Sequence, residues 1–123
     1  MKWPSFFPTG CPTPETPLAN ESVYRVIEGS IPTNEDFISF QEQNPQKCYH
    51  PRECDACGIS VYTILEDVVK LQRRVPKFKN KRIAIGKLTP EMGMLKPTPG
   101  KEPSHHSWWI PLGIQPLNIF VLI

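Results

Sequence analysis

The chain has no long hydrophobic run. Its longest apolar stretch near the end, residues 119–123, reads IFVLI and is far shorter than the roughly 20 residues a membrane-spanning helix needs. The opening MKWPSFFPTGCP does not read as a signal peptide, because its prolines break any apolar helical core. Charge of one sign is also scarce. The net charge is +2, too near neutral to argue for nucleic acid by itself. No internal repeat is visible. No second C-x-x-C accompanies the single one at 54–57. With no leader and no span, a cytoplasmic, reducing location is the default expectation. The cysteines are then expected as free thiols or metal ligands rather than disulfides.

A chain of 123 residues suits one domain with one core. Its apolar share of 39% is slightly low and its charged share is 21%, yet the balance of signs and the aromatics set it apart from a disordered chain. What abounds is proline. There are fifteen, more than twice the ordinary share of about 5%. Proline removes a backbone donor and breaks helix and strand interiors, so elements belong in the proline-free windows 18–31, 33–44, 52–75 and 77–89. Residues 1–21 form a proline-rich arm, and residues 22–123 form the domain.

SVYRVI (22–27) is β-branched and aromatic and reads as a strand. Val23, Arg25 and Ile27 share one face. TNEDFISFQEQ opens with a capping signal, Thr33 followed by Asp36, and predicts a short surface helix ending before Pro45. GISVYT (58–63) predicts a second strand that runs directly into a helix capped by Thr63, with Glu66 at the capping-box position. Ile64, Val68, Leu71 and Val75 make one stripe on that helix, and Pro76 stops it. RIAIGKL (82–88) alternates as a third strand, GMLKPTP (93–99) as a short edge strand, HHSWWI (105–110) as another, and LNIFVLI (117–123) is either a last strand or a fraying tail. The expected class is therefore α+β, a small twisted, mostly antiparallel sheet with two helices packed on it. On a strand, His105 and His106 leave opposite faces and cannot act together. Trp108 and Trp109 divide in the same way, one for the core and the other exposed as a contact.

Three stretches carry candidate chemistry. CYHPRECDACG holds Cys48, His50, Cys54 and Cys57. Thiolates at C-x-x-C spacing reach one tetrahedral zinc ion, and Cys11 could arrive from the arm. The alternative is free cysteines in a loop. A redox pair is less expected, since this C-x-x-C leads into a strand rather than opening a helix. Residues 70–82 carry seven basic side chains and no acidic one. They could hold phosphates with Phe78 for stacking, or form a solvated helix end; the low overall charge argues against a dedicated nucleic-acid binder. Arg25 is either an anion grip or a strand arginine paired with Glu28 or Glu35.

The succession of VYRVI with its arginine, GISVYT leading into a helix, and alternating strands ending in HHSWW resembles small bacterial proteins whose layout is similar to the ADP-ribosyltransferase fold and its RES-type relatives, which split NAD. The likeness covers roughly residues 22–111. It implies that Arg25 holds a phosphate or ribose of the dinucleotide, and that Ser60, Tyr62 and Thr63 shape the nicotinamide pocket. Those families use a late-strand glutamate to stabilise the sugar cation. Here Glu102 precedes that strand, and the strand itself offers His105 or His106 as the catalytic group. The resemblance implies an NAD-processing enzyme, a toxin or a modifying enzyme, or an inactive relative. The alternative is a non-enzymatic interaction module, zinc-stapled through Cys48, His50, Cys54 and Cys57, that docks a protein partner through its aromatic and basic surface.

Overall fold

A computed structural model describes residues Met1–Ile123. Apolar–polar alternation yields six strands: β1 (Glu21–Ile27), β2 (Ile59–Tyr62), β3 (Arg82–Leu88), β4 (Met94–Pro97), β5 (His105–Trp109) and β6 (Phe120–Leu122). They form one sheet in the order β4-β5-β2-β1-β3-β6, with every neighbouring pair antiparallel. The class is α+β, as expected. Proline confines β4 to the edge, where a missing donor costs nothing. Gly93, just before it, sits at φ +122, and a β-carbon added there would collide with the Trp109 carbonyl oxygen, so only glycine fits.

Three short helices accompany the sheet rather than two: α1 (Phe40–Gln43), α2 (Glu53–Cys57) and α3 (Leu65–Arg74). The expected surface helix across 33–44 is divided. Thr33 and Asp36 form their capping box on a single 3-10 turn, and Ser39 with Glu42 forms a second box that starts α1. Each box restarts the chain, so no continuous helix forms. The helix expected after β2 is present, but Thr63 does not cap it. Its N-cap is Ile64, whose N–H donates to Ser104 Oγ at 3.2 Å, while Asp67 Oδ2 accepts the Ser104 N–H at 2.8 Å. With the start of the helix held by a residue forty positions away, Ile64 stands at the N-cap, outside the apolar stripe and exposed. Val68 and Leu71 carry the burial instead.

The two faces of the sheet are covered differently. One packs Val23, Ile27, Val61, Leu88 and Trp108 against Phe37 and Phe120. The other is covered by α3 over its middle, where Tyr62, Val68 and Leu71 are buried. Beside that, the proline-rich arm folds back over β5. Trp3, Phe7 and Cys11 of the arm pack with Cys57 around Trp109, and the Trp109 indole N–H donates to the Cys54 carbonyl at 2.9 Å. Both tryptophans are therefore buried, at 0% and 1% exposure. The expectation that one stays exposed as a contact is corrected, because the arm supplies a cover for the second face.

The arm is also tied covalently. Cys11 and Cys54 form a disulfide, with Cys48 exposed and Cys57 buried as free thiols. This corrects the expectation of four unpaired cysteines: the arm's packing on Trp109 brings Cys11 to α2, with the two α-carbons 5.5 Å apart, inside the range a disulfide spans. No helix is long and apolar enough to cross a membrane.

Candidate functional site

The site begins where the sheet opens. β1 and β2 pair at Tyr24 and Tyr62, and beyond that point the strands part. Arg25 enters the gap. Its Nη1 donates to the Ser60 carbonyl and its Nε to the Asp36 carbonyl, both at 2.6 Å. Asp36 is itself fixed, its carboxylate accepting the backbone N–H groups of Glu28 and Thr33 at 2.8 Å each. The guanidinium thus replaces ladder hydrogen bonds that the parting strands give up, and satisfies carbonyls that would otherwise be stranded. Burial pushes the Arg25 pKa down to about 10, with the nearby Asp36 charge working against that shift. The side chain stays cationic at neutral pH. Neither Glu28 nor Glu35 pairs with it; Glu28 pairs with Lys81 at 2.7 Å.

Around this gap lies a cleft of about 500 Å³. Arg25, Glu28 and Glu35 line it from β1 and the turn after it, and Ser60 and Tyr62 from β2. Leu71, Val75 and Phe78 close it from α3 and the following turn, and Lys77 and Lys81 stand at the same end. The two ammonium groups lie 5.2 and 5.4 Å from the Phe78 ring centre, a cation–π arrangement. Burial pushes the Tyr62 hydroxyl up to about 12, with Glu102 adding to the effect, so it is a neutral donor at neutral pH.

His105 reaches the site through sheet register. Tyr62 faces His105 across β2 and β5, and Ser60 faces Ser107. Ser60, Tyr62 and His105 therefore leave the same face. The His105 Nε2 lies 2.8 Å from Ser60 Oγ, and its Nδ1 lies 2.8 Å from the Thr98 carbonyl and 2.9 Å from Thr98 Oγ1. A carbonyl oxygen only accepts, so the neutral ring carries its proton on Nδ1 and presents the Nε2 lone pair to the Ser60 hydroxyl. Burial lowers the His105 pKa below the ordinary histidine value, which favours this neutral form.

Of the residues singled out by sequence, Arg25, Ser60 and Tyr62 thus line one cleft, and His105 touches it through Ser60. Thr63 lies past the end of β2, its N–H directed at the Ser104 carbonyl, and is not among the cleft residues. His106 faces away, with Nδ1 2.7 Å from the Ser104 carbonyl. The contact between Ser60 and His105 has no local sequence signal, since it depends on strand register.

The zinc set does not assemble. The Cys54 sulfur is bonded to Cys11. His50 is exposed and pairs with Glu53 at 2.9 Å, Cys48 is exposed, and Cys57 lies under Trp109 with its thiol pushed up to about 11 by burial. No group of three or more His, Cys, Asp or Glu side chains converges anywhere in the chain, so these residues do not offer zinc a tetrahedral donor set. Cys54 and Cys57 do share the one-turn helix α2, a helix too short to show an apolar period in the sequence. Comparison with family models, curated proteins and solved structures returns no match.

Proposed function

We propose that the cleft between β1 and β2 binds a nucleotide of the NAD class and processes it, by hydrolysis of the nicotinamide bond or by transfer of the ADP-ribosyl group. The observation that carries this reading is that Arg25, Ser60 and Tyr62 line a single cleft. A fixed guanidinium suits phosphate. Lys77 adds positive charge at one end, beside Lys81 with its partner Glu28, and Phe78 next to the two lysines offers a ring on which a base can stack. Tyr62 supplies a neutral hydroxyl for an amide or ribose.

A carboxylate near the sugar is needed because cleaving the nicotinamide bond builds positive charge there. The late strand has none, but Glu35 lines the cleft and is exposed to it, and Glu28 stands opposite Lys81. Glu35 is the better candidate, since Glu28 is already neutralised by its lysine. The experiment is a thermal-shift titration with NAD alongside a nicotinamide-release assay. Wild-type protein is expected to shift and to release nicotinamide. Glu35→Gln should keep the shift and lose release by about 100-fold or more, and Lys77→Ala should weaken the shift. The absence of both shift and release at millimolar NAD overturns the reading.

A further inference from the structure

We propose that Ser60 is a nucleophile, with His105 as its general base, for attack on the carbonyl of a carboxylic ester seated in the cleft. This goes beyond nucleotide binding and stands or falls separately from it. The argument is one of connectivity. The Thr98 carbonyl accepts the His105 Nδ1 proton at 2.8 Å, and Nε2 then has one neighbour, Ser60 Oγ, also at 2.8 Å. The base is thus within hydrogen-bond reach of both the nucleophile and the group that orients it, the arrangement acyl-transfer chemistry needs. The Thr98 carbonyl takes the orienting place that a carboxylate fills in a serine–histidine–aspartate triad. It holds the tautomer without adding a negative charge.

The alternatives within the molecule are poorer. Burial holds the Cys57 thiol at about 11, so only about one part in ten thousand is thiolate at pH 7. Tyr62, at about 12, is further from ionising. Ser60 needs no ionisation of its own when a neutral imidazole accepts its proton in the transition state. Ser60 is among the residues lining the cleft, and its side chain leaves the same face of the sheet as that of Tyr62, which also lines it. Arg25 is anchored on the carbonyl of that same serine. The register sets the Arg25 side chain on the Val23 and Ile27 face and the Ser60 hydroxyl on the Tyr62 face, so the guanidinium serves to fix the Ser60 backbone.

The steps balance. Ser60 Oγ bonds to the acyl carbon as its proton passes to His105 Nε2. The bond from that carbon to the alcohol oxygen breaks, and the alcohol leaves with the proton from Nε2. Water then gives a proton to Nε2 and its hydroxyl to the acyl carbon, and Ser60 departs and recovers the proton. The products are a carboxylic acid and an alcohol.

The test is labelling of the full chain with a fluorophosphonate, located by peptide mass mapping, with p-nitrophenyl acetate hydrolysis measured in parallel. A single adduct on Ser60 is expected, with no adduct and no hydrolysis in Ser60→Ala. His105→Asn retains an amide donor for Thr98 but no base, and should slow labelling about 100-fold or more. The labelling rate of wild-type protein should rise with pH to a plateau, with a midpoint below the ordinary histidine value. Burial lowers this midpoint first, the Thr98 hydrogen bond opposes it, and the charged groups acting on His105 are its β5 neighbour His106 and Glu102 on the segment leading into β5; the other titratable groups nearby are Tyr62 on β2, edge-on at 5.3 Å, Arg74 of α3 bound to Glu102, and Lys96 of β4, opposite Ser107. No adduct, an adduct at another serine, or a pH-independent rate overturns the proposal. The pH profile uses wild-type protein, so it decides even if a variant fails to fold.

Discussion

The Arg25 guanidinium donates to the Ser60 carbonyl at 2.6 Å, across the gap where β1 and β2 part. One side chain thus closes the sheet and furnishes the cleft. This dual role separates fold from function only partly, and it determines which substitutions are informative.

Arg25→Ala should lower stability by about 3 kcal/mol, the scale of losing two hydrogen bonds from a charged donor to buried carbonyls. Urea unfolding monitored by tryptophan fluorescence measures it. Arg25→Lys should recover less than half, since one ammonium cannot reproduce the planar fork. Full recovery by lysine would show that charge rather than geometry holds the gap.

The disulfide closes 43 residues of sequence. On the chain-entropy account it contributes about 4 kcal/mol, so Cys54→Ser should melt at a markedly lower temperature. Peptide mapping without reductant should link Cys11 to Cys54 and leave Cys48 and Cys57 alkylatable once the chain is unfolded. A link between Cys54 and Cys57 would contradict the packing of the arm on Trp109.

Gly86 faces Phe120 in the β3–β6 register, and a β-carbon there would lie 2.7 Å from the ring. Gly86→Ala should therefore cost about 2 kcal/mol by overpacking. Adding Phe120→Leu should return part of that loss, a coupling visible in a double-mutant cycle.

Acid should destabilise the protein in two stages. The lowered His105 pKa, caused first by burial, means that the unfolded chain binds a proton more readily than the folded one. Stability is then full above the unfolded histidine value and declines as pH falls from there through the folded value. Glu102 is held below the ordinary carboxylate range by its two hydrogen bonds to Arg74, and Asp67 by those from Ser104. Their contributions are present above the ordinary carboxylate pKa and disappear as pH falls through the folded values. Thermal melts from pH 8 to pH 3 should show both declines, and His105→Asn should remove the upper one alone.

Five strands were legible in the sequence, because alternation and proline placement are local signals; the sixth was one of two readings of the last residues, a strand or a fraying tail, and the structure makes it the strand Phe120–Leu122. Also legible were the shared face of Val23, Arg25 and Ile27, the divergence of His105 from His106, and the edge position of β4. What was hidden depends on tertiary supply. Ser104 in a distant loop holds the start of α3 through the Ile64 N–H and the Asp67 carboxylate, so Thr63 looked like the cap. The arm's cover over Trp109, and with it the disulfide, follows from a long return of chain that no window of residues encodes. The placing of Ser60 against His105 requires the β2–β5 register, which pattern alone leaves open.

The most direct test of the cleft is an NMR titration of isotope-labelled protein with NAD, following the Arg25 Nε–H and the amides of Ser60, Tyr62 and Phe78. The account predicts saturable shifts at these positions, with the β4 edge, marked by Leu95 and Lys96, unmoved. No shift at millimolar NAD, or shifts confined to the β4 edge, would contradict it.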